Sequence, residues 1–388
     1  MKQGLFDASS DLKLVKVFID DNEVLNENMQ DIEIHWNFNK FEVQATMMIV
    51  DNANVMNLFT DFKEKKVKLQ VTDLSDVHFE REFHIMQIKT TKLSDENIRV
   101  LNINLIDTVS YILKNTFYSK GYSNIKLSAI IEDIFSIFKI DSSYDTSKIK
   151  RNFAQTNTTY ENFVIPGDRC LYDFIEYQLN QEGFVWFQQK NSYEIKHIKS
   201  LYPSASETKP ERNFSQDVEN PKYLYKILDV TTDFNNTYDN LRVPIKSTWV
   251  YDPLNKKIIE NKSNLSDLYD DMNMSLSKEL YIQNTNGVQQ SYDEVNSGVD
   301  MLSKETFFNY IQNTTLELFV PGVLDNVLFE RRGVKIIGST IHTEELKSGD
   351  EILNGDYLVL SIHDKIAGTK MIQKISVGRV NNTDKKKV

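Results

Sequence analysis

Four carboxylates crowd one short stretch of the chain: Asp168, Asp173, Glu176 and Glu182. Asp173 and Glu176 stand three apart, which makes them neighbours on a helix surface. Two flanking carboxylates are what glycoside hydrolysis needs, one to protonate the leaving oxygen and one to attack or to activate water. Such pairs work in clefts with aromatic platforms for sugar rings. Here we read the acids as a solvated helix face.

The six histidines, His35, His78, His84, His197, His342 and His363, never reach the HxH, HxxxH or HExxH spacings of zinc ligands. Each lies in or beside a predicted strand and reads as a surface or interface histidine, so no metal site is expected. Cys170 is the only cysteine, so it has no intramolecular disulfide partner. It fits assembly in a reducing cytoplasm and reads as a buried thiol rather than a nucleophile. Neither a GxSxG elbow nor a GxxxxGKS/T phosphate loop occurs. No catalytic residue, cofactor or metal ligand is assigned, and the chain is not expected to be an enzyme.

Charge and composition narrow the partners. The 45 Lys+Arg against 56 Asp+Glu give a net charge of −11, which argues against general nucleic-acid binding. The basic tail, residues 384–388, reads as a solvated terminus. No stretch approaches the roughly 20 apolar residues of a membrane span, and residues 1–13 have no long apolar run, so a secretory signal is not expected there. Aromatic content is 11%, with 22 Phe and 18 Tyr, and suits cores and subunit interfaces.

The acids sit on a helix. Leu171, Phe174, Ile175 and Leu179 recur at helical spacing, and Gly183 stops the helix. An aromatic hairpin follows, one strand at 184–188, a turn at Lys190–Ser192 and a returning strand to Ile198. Upstream, Ser128 is placed to N-cap a helix whose apolar face is Ile130, Ile131, Ile134, Phe135 and Phe138. Residues 108–203 therefore read as a mixed α+β domain, and 204–220, a polar run that follows Pro203 and contains Pro210, as a linker.

The flanks read as strands. In the first, Ile32, Ile34, Trp36 and Phe38 face inward while Glu33, His35 and Asn37 face water. A turn at Asn39–Lys40 leads to a second strand with Phe41, Val43, Ala45, Met47 and Ile49 inward, and further strands centre on Leu69, Ile85 and Ile103. The expectation is one small antiparallel β-barrel over 1–107 and a second over 221–252 and 313–382. A polar insertion at 253–312 interrupts the second, with a helix at 267–282. An internal echo supports the pair: Phe62 to Leu69 resembles Phe329 to Ile336, and each copy leads into two more strands.

Asp173-Phe174 opening a helix, Glu182-Gly183 closing it and the aromatic hairpin beyond resemble the central region of phage tail baseplate hub proteins. The same marks occur in the N-terminal hub of type VI secretion spike proteins. Pro321-Gly322 before a strand, and Gly355 and Tyr357 leading to His363, resemble that family's last barrel. The domain order resembles the family's along essentially the whole chain. Two departures are the longer step Val323–Leu328 and the insertion.

The resemblance implies a stand-alone hub of the T-even type, with two tube-like barrels flanking the mixed domain. It implies a homotrimer in the virion tail baseplate, assembled in the host cytoplasm, whose pseudo-sixfold ring joins a central spike to the tail tube. Other baseplate proteins would surround it, and DNA would pass through its lumen without specific binding. The competing readings are a tail-associated cell-wall hydrolase and a carbohydrate- or receptor-binding β-protein.

Overall fold

The computed structural model describes residues 10–20, 22–24, 29–51, 65–92, 99–139, 149–156, 158–201, 213–216, 225–234, 245–252, 256–264, 288–290, 314–324, 331–335 and 353–381, together with 304, 307–308, 311–312 and 329. The expected linker prolines, the helix at 267–282, Phe62, His342 and the basic tail lie outside these residues.

Alternation of apolar and polar side chains builds the first third: β1 (Ser10–Ile19), β2 (Asn22–Val24), β3 (Met29–Asn37), β4 (Lys40–Asp51), β5 (Lys66–Asp73), β6 (His78–Lys92) and β7 (Arg99–Asp107). The β3–β4 turn falls at Phe38–Asn39, one residue before the expected place. Phe38 is buried there because it packs on Phe187 and Phe329.

The middle is mixed: α1 (Thr108–Asn115), β8 (Lys120–Lys126), α2 (Leu127–Ile137), β9 (Lys150–Phe153), β10 (Thr159–Ile165), α3 (Leu171–Gln181), β11 (Phe184–Gln188) and β12 (Ser192–His197). Asp107 caps α1 by accepting from the Ser110 amide at 3.0 Å. Ser128 does not cap α2, whose N-cap is Lys126. Ser128 instead lies inside the first turn and exchanges hydrogen bonds with Thr156, pinning the chain after β9 to the helix.

β11 is buried on both faces because two cores flank it. Val185 and Phe187 join the core of the large sheet, while Phe184 and Trp186 join the helical core with Leu171, Phe174, Ile175 and Leu179.

The last third holds β13 (Asn213–Ser215), β14 (Tyr225–Lys226), β15 (Asp229–Phe234), β16 (Ile245–Asp252), β17 (Lys257–Asn264), β18 (Val288–Gln290), β19 (Thr314–Pro321), β20 (Arg331–Lys335), β21 (Gly355–Ala367) and β22 (Lys370–Asn381). β16 pairs with β17 and β18 in a separate three-stranded sheet. The interruption thus starts before residue 252, where the sequence pattern put its edge, and it contains strands.

Strands from both ends of the chain form one 14-stranded sheet, ordered β14-β13-β20-β21-β3-β4-β7-β6-β5-β1-β22-β19-β15. β2 pairs with β1, and β21 also pairs with β22, so the path from β21 through β3 and β1 returns to its start.

One strand order occurs twice. The strands β3, β4, β5, β6 and β7 lie in the order 3-4-7-6-5, every pair antiparallel. The strands β15, β19, β20, β21 and β22 lie in the order 15-19-22-21-20, again all antiparallel. Where the first set has a tight β3–β4 turn, the second carries the inserted sheet between β15 and β19. An irregularity between Val359 and Ser361 divides β21, whose first half pairs with β20 and whose second half pairs with β3.

Candidate functional site

The two strand sets and the mixed unit meet along a buried polar seam. Trp36 Nε1 donates to Asp364 Oδ2 at 3.0 Å, and Gln373 Nε2 donates to Asp364 Oδ1 at 2.7 Å. Gln373 also bonds both the amide and the carbonyl of Val323, each at 3.2 Å, and Lys190 Nζ reaches the same carbonyl. On the other side of Trp36, the Arg81 guanidinium lies 5.0 Å from the indole and donates to Gln188 Oε1. Gln188 Nε2 donates to Phe41 O at 2.7 Å and to Asp107 Oδ1 at 2.9 Å, and Asp107 Oδ2 accepts from the Val43 amide. Arg81 is 2% exposed and Asp364 1%. Asp364, bonded on both carboxylate oxygens, fixes geometry, because any shift strands a donor or an acceptor. Arg81 instead leans on the single bond to Gln188 and the Trp36 face, with its Nε buried without a partner among the described residues.

A second cluster occupies the opposite, wetter face of the β3–β21 pairing. His363 stands directly across from His35, and Lys365 from Glu33. The two imidazole rings stack with centroids 4.0 Å apart. Glu33 Oε2 lies 3.1 Å from His363 Nε2, while Lys365 Nζ reaches Glu33 Oε1 at 2.5 Å and Asp31 at 2.8 Å. Burial alone would raise the Glu33 carboxyl, but Lys365 and His363 outweigh it and hold its pKa below the usual value. Burial, and then the His363 charge, lower His35. Spacing rules missed this grouping because Glu33 and His363 are 330 residues apart and only strand pairing unites them.

The four acids do not form one solvated face. Asp168 and Asp173 are exposed, as expected, but Glu182 is buried at the end of α3 and accepts from Tyr160 Oη at 2.7 Å. Glu176 is partly covered; burial raises its pKa, with Asp173 adding and Lys304 opposing. Asp168 and Phe174 help line an open groove of about 330 Å³ with Tyr160, Phe163, Arg169 and Tyr177. Cys170 is buried beside Leu171, and burial pushes its thiol pKa up, which fits an inert thiol.

The remaining motif residues hold backbone geometry. Phe174 packs in the helical core against Phe163. Gly183 takes φ 74°, the left-handed conformation that ends α3 and turns the chain into β11. Pro321 closes β19 opposite Ile372, and the Gly322 amide donates to Met371 O at 3.1 Å. Gly355 opens β21 opposite Val334, and Tyr357 Oη donates to Leu353 O at 2.8 Å. The motif residues thus lie at several separate places, of which His363 alone joins the second cluster.

Neither a protein-family model nor a curated protein matches the sequence. Solved structures do match its fold, which is one used by phage tail proteins and by type VI secretion spike proteins of the VgrG kind. The chain is similar to the 43 kDa tail protein of prophage MuSo2 from Shewanella oneidensis, with TM-score 0.60 and 11% identity, over 95% of this chain and 99% of that one. It is similar to a tail protein from Neisseria meningitidis MC58, with TM-score 0.57 and 10% identity, over 94% and 96%. It also matches a chain of the Francisella PdpA–VgrG complex, with TM-score 0.50 and 12% identity, over 95% of this chain but 53% of that one. Among the described residues, no helix is long and apolar enough to cross a membrane.

Proposed function

We propose that this chain is the structural hub of a contractile phage tail baseplate. In this reading the two strand sets are two tube-like barrels, one within 1–107 and one built from β15 and β19 to β22 with the β16–β18 sheet inserted between them, and 108–203 braces them. The carrying observation is the strand order that occurs twice with every pair antiparallel. A chain with two copies of one unit offers six copies when it trimerises, which matches a threefold spike to a sixfold tube. The fold's likeness to tail proteins supports the same role. The net charge of −11 suits a lumen that lets DNA pass without holding it.

In this role the chain is not an enzyme. It sits in the virion tail as a homotrimer and contacts a central spike, the tail tube and other baseplate proteins. The motif residues Asp173, Phe174, Glu182, Gly183, Pro321, Gly322, Gly355 and Tyr357 act by holding the scaffold. Native mass measurement with negative-stain imaging tests this: a trimeric hollow ring is expected, alone or with the spike. A particle that stays monomeric even with its spike would overturn it.

The aromatic groove beside α3 favours one second reading, a carbohydrate-binding β-protein. Glycan binding by a monomer, lost on Tyr177→Ala, would favour that reading over the hub.

A further inference from the structure

Glu33, His35 and His363 each present a ligand atom, and the three atoms lie within 4.8 Å of one another. Around a tetrahedral zinc ion, with bonds near 2.0 Å, ligand atoms stand about 3.3 Å apart. Small rotations of these three side chains, His35 exposed and Glu33 and His363 half-buried, close the difference. The stacked rings put two imidazole edges side by side, and the Glu33 carboxylate already reaches the His363 ring.

Two imidazoles and one carboxylate are the donor set of borderline divalent metals rather than of calcium or magnesium. Lys365 is the obvious competitor, since it shares Glu33. It has a second partner, Asp31 at 2.8 Å, which keeps its charge satisfied if Glu33 turns to an ion.

We propose that Glu33, His35 and His363 form a site for one divalent transition metal ion of the zinc, cobalt or nickel type. The ion clips β3 of the first strand set to β21 of the second. Three protein ligands leave a fourth position for water or for a side chain of another molecule. The buried seam fixes the same pairing from the inner face, so the ion adds a staple on the outer one.

The test uses the full chain, stripped with a chelator and titrated with Co²⁺ by absorption and with Zn²⁺ by calorimetry. One ion should bind per chain, the cobalt spectrum should be that of low coordination, and zinc should raise the melting temperature. His35→Gln and His363→Gln should each weaken binding by at least about tenfold, and His78→Gln should leave it unchanged. Lys365→Met should tighten it by freeing Glu33. Both His substitutions are on the wet face, so metal-free variants should melt with the wild type. The site is overturned by absence of saturable binding up to about 1 mM, by wild-type affinity in both His variants, or by weaker binding in Lys365→Met.

Discussion

Trp36 and Asp364 are 328 residues apart, yet the indole nitrogen of one donates to the carboxylate of the other at 3.0 Å. They sit diagonally across the β3–β21 pairing, on its inner face, where Ile362 opposes Trp36 and Asp364 opposes Ile34. This contact joins a strand from the start of the chain to one from its end. Arg81 over the same indole and Gln373 on the same carboxylate extend it into the mixed unit and along β22.

Removing the carboxylate should therefore be costly. Asp364→Ala leaves the Trp36 donor and one of the two Gln373 N–H groups buried without an acceptor, a loss of about 3 kcal/mol. Trp36→Phe removes one donor and should cost less. A double-mutant cycle read from urea midpoints should give a coupling of about 1 kcal/mol between the two positions. Additive losses would mean that the contact does not join the strands energetically.

Three glycines should rank by their surroundings. Gly183→Ala forces a side chain into φ 74° and should cost about 1 kcal/mol. A Cβ on Gly322 would stand 2.2 Å from Met371 Cγ and 2.7 Å from its Cβ, so Gly322→Ala should cost about 1–3 kcal/mol through overpacking. Gly121 has open space around it, and Gly121→Ala should change little. Thermal unfolding of the three variants checks the order.

Much of the strand framework was legible, because period-two alternation marks a sheet with one wet face wherever it occurs. The helix of Leu171, Phe174, Ile175 and Leu179 was legible for the same reason at its own period. The seam left a fainter trace: Asp364 falls at inward parity between Ile362 and Ile366, Arg81 between Phe79 and Phe83, and Gln373 between Met371 and Ile375. A polar residue at a core position needs a partner, so parity could have flagged all three, though not the partners themselves. Their pairing, like that of His35 with His363, depends on which distant strands meet. Local pattern does not encode that. Glu182 misled for the opposite reason, since its burial comes from Tyr160 on β10 and not from its own helix.

Gln188 ties the mixed unit to the first strand set, so its replacement should behave as the loss of the neutral bridge that solvates two buried charges. Gln188→Leu deprives buried Arg81 of its acceptor and Asp107 of a donor, a cost of about 3–4 kcal/mol. Replacing Arg81 by Met in the same chain removes the stranded charge. The double variant should be no less stable than Gln188→Leu alone, measured by denaturant unfolding. A double variant losing the full sum would place the energy elsewhere.

Lys304 supplies a pH signature in the alkaline range. Its ammonium group is buried, bonds the side chain of Asn180 and the carbonyl of Phe184 at 2.7 Å, and has its pKa brought down to about 8 by burial, with Glu176 opposing. The folded state therefore gives up this proton more readily than the unfolded chain, whose value is near 10.5. Between those values the unfolded state holds more protons, so stability rises with pH, and the contribution is lost as pH falls through 8. Comparing wild type with Lys304→Met cancels the other titrating groups. From pH 7.5 to 10.5 the wild type should gain on the variant by up to about 3 kcal/mol. A difference independent of pH would show that Lys304 keeps its ordinary affinity for the proton, and hence that its two oxygen acceptors make good the solvation lost on burial.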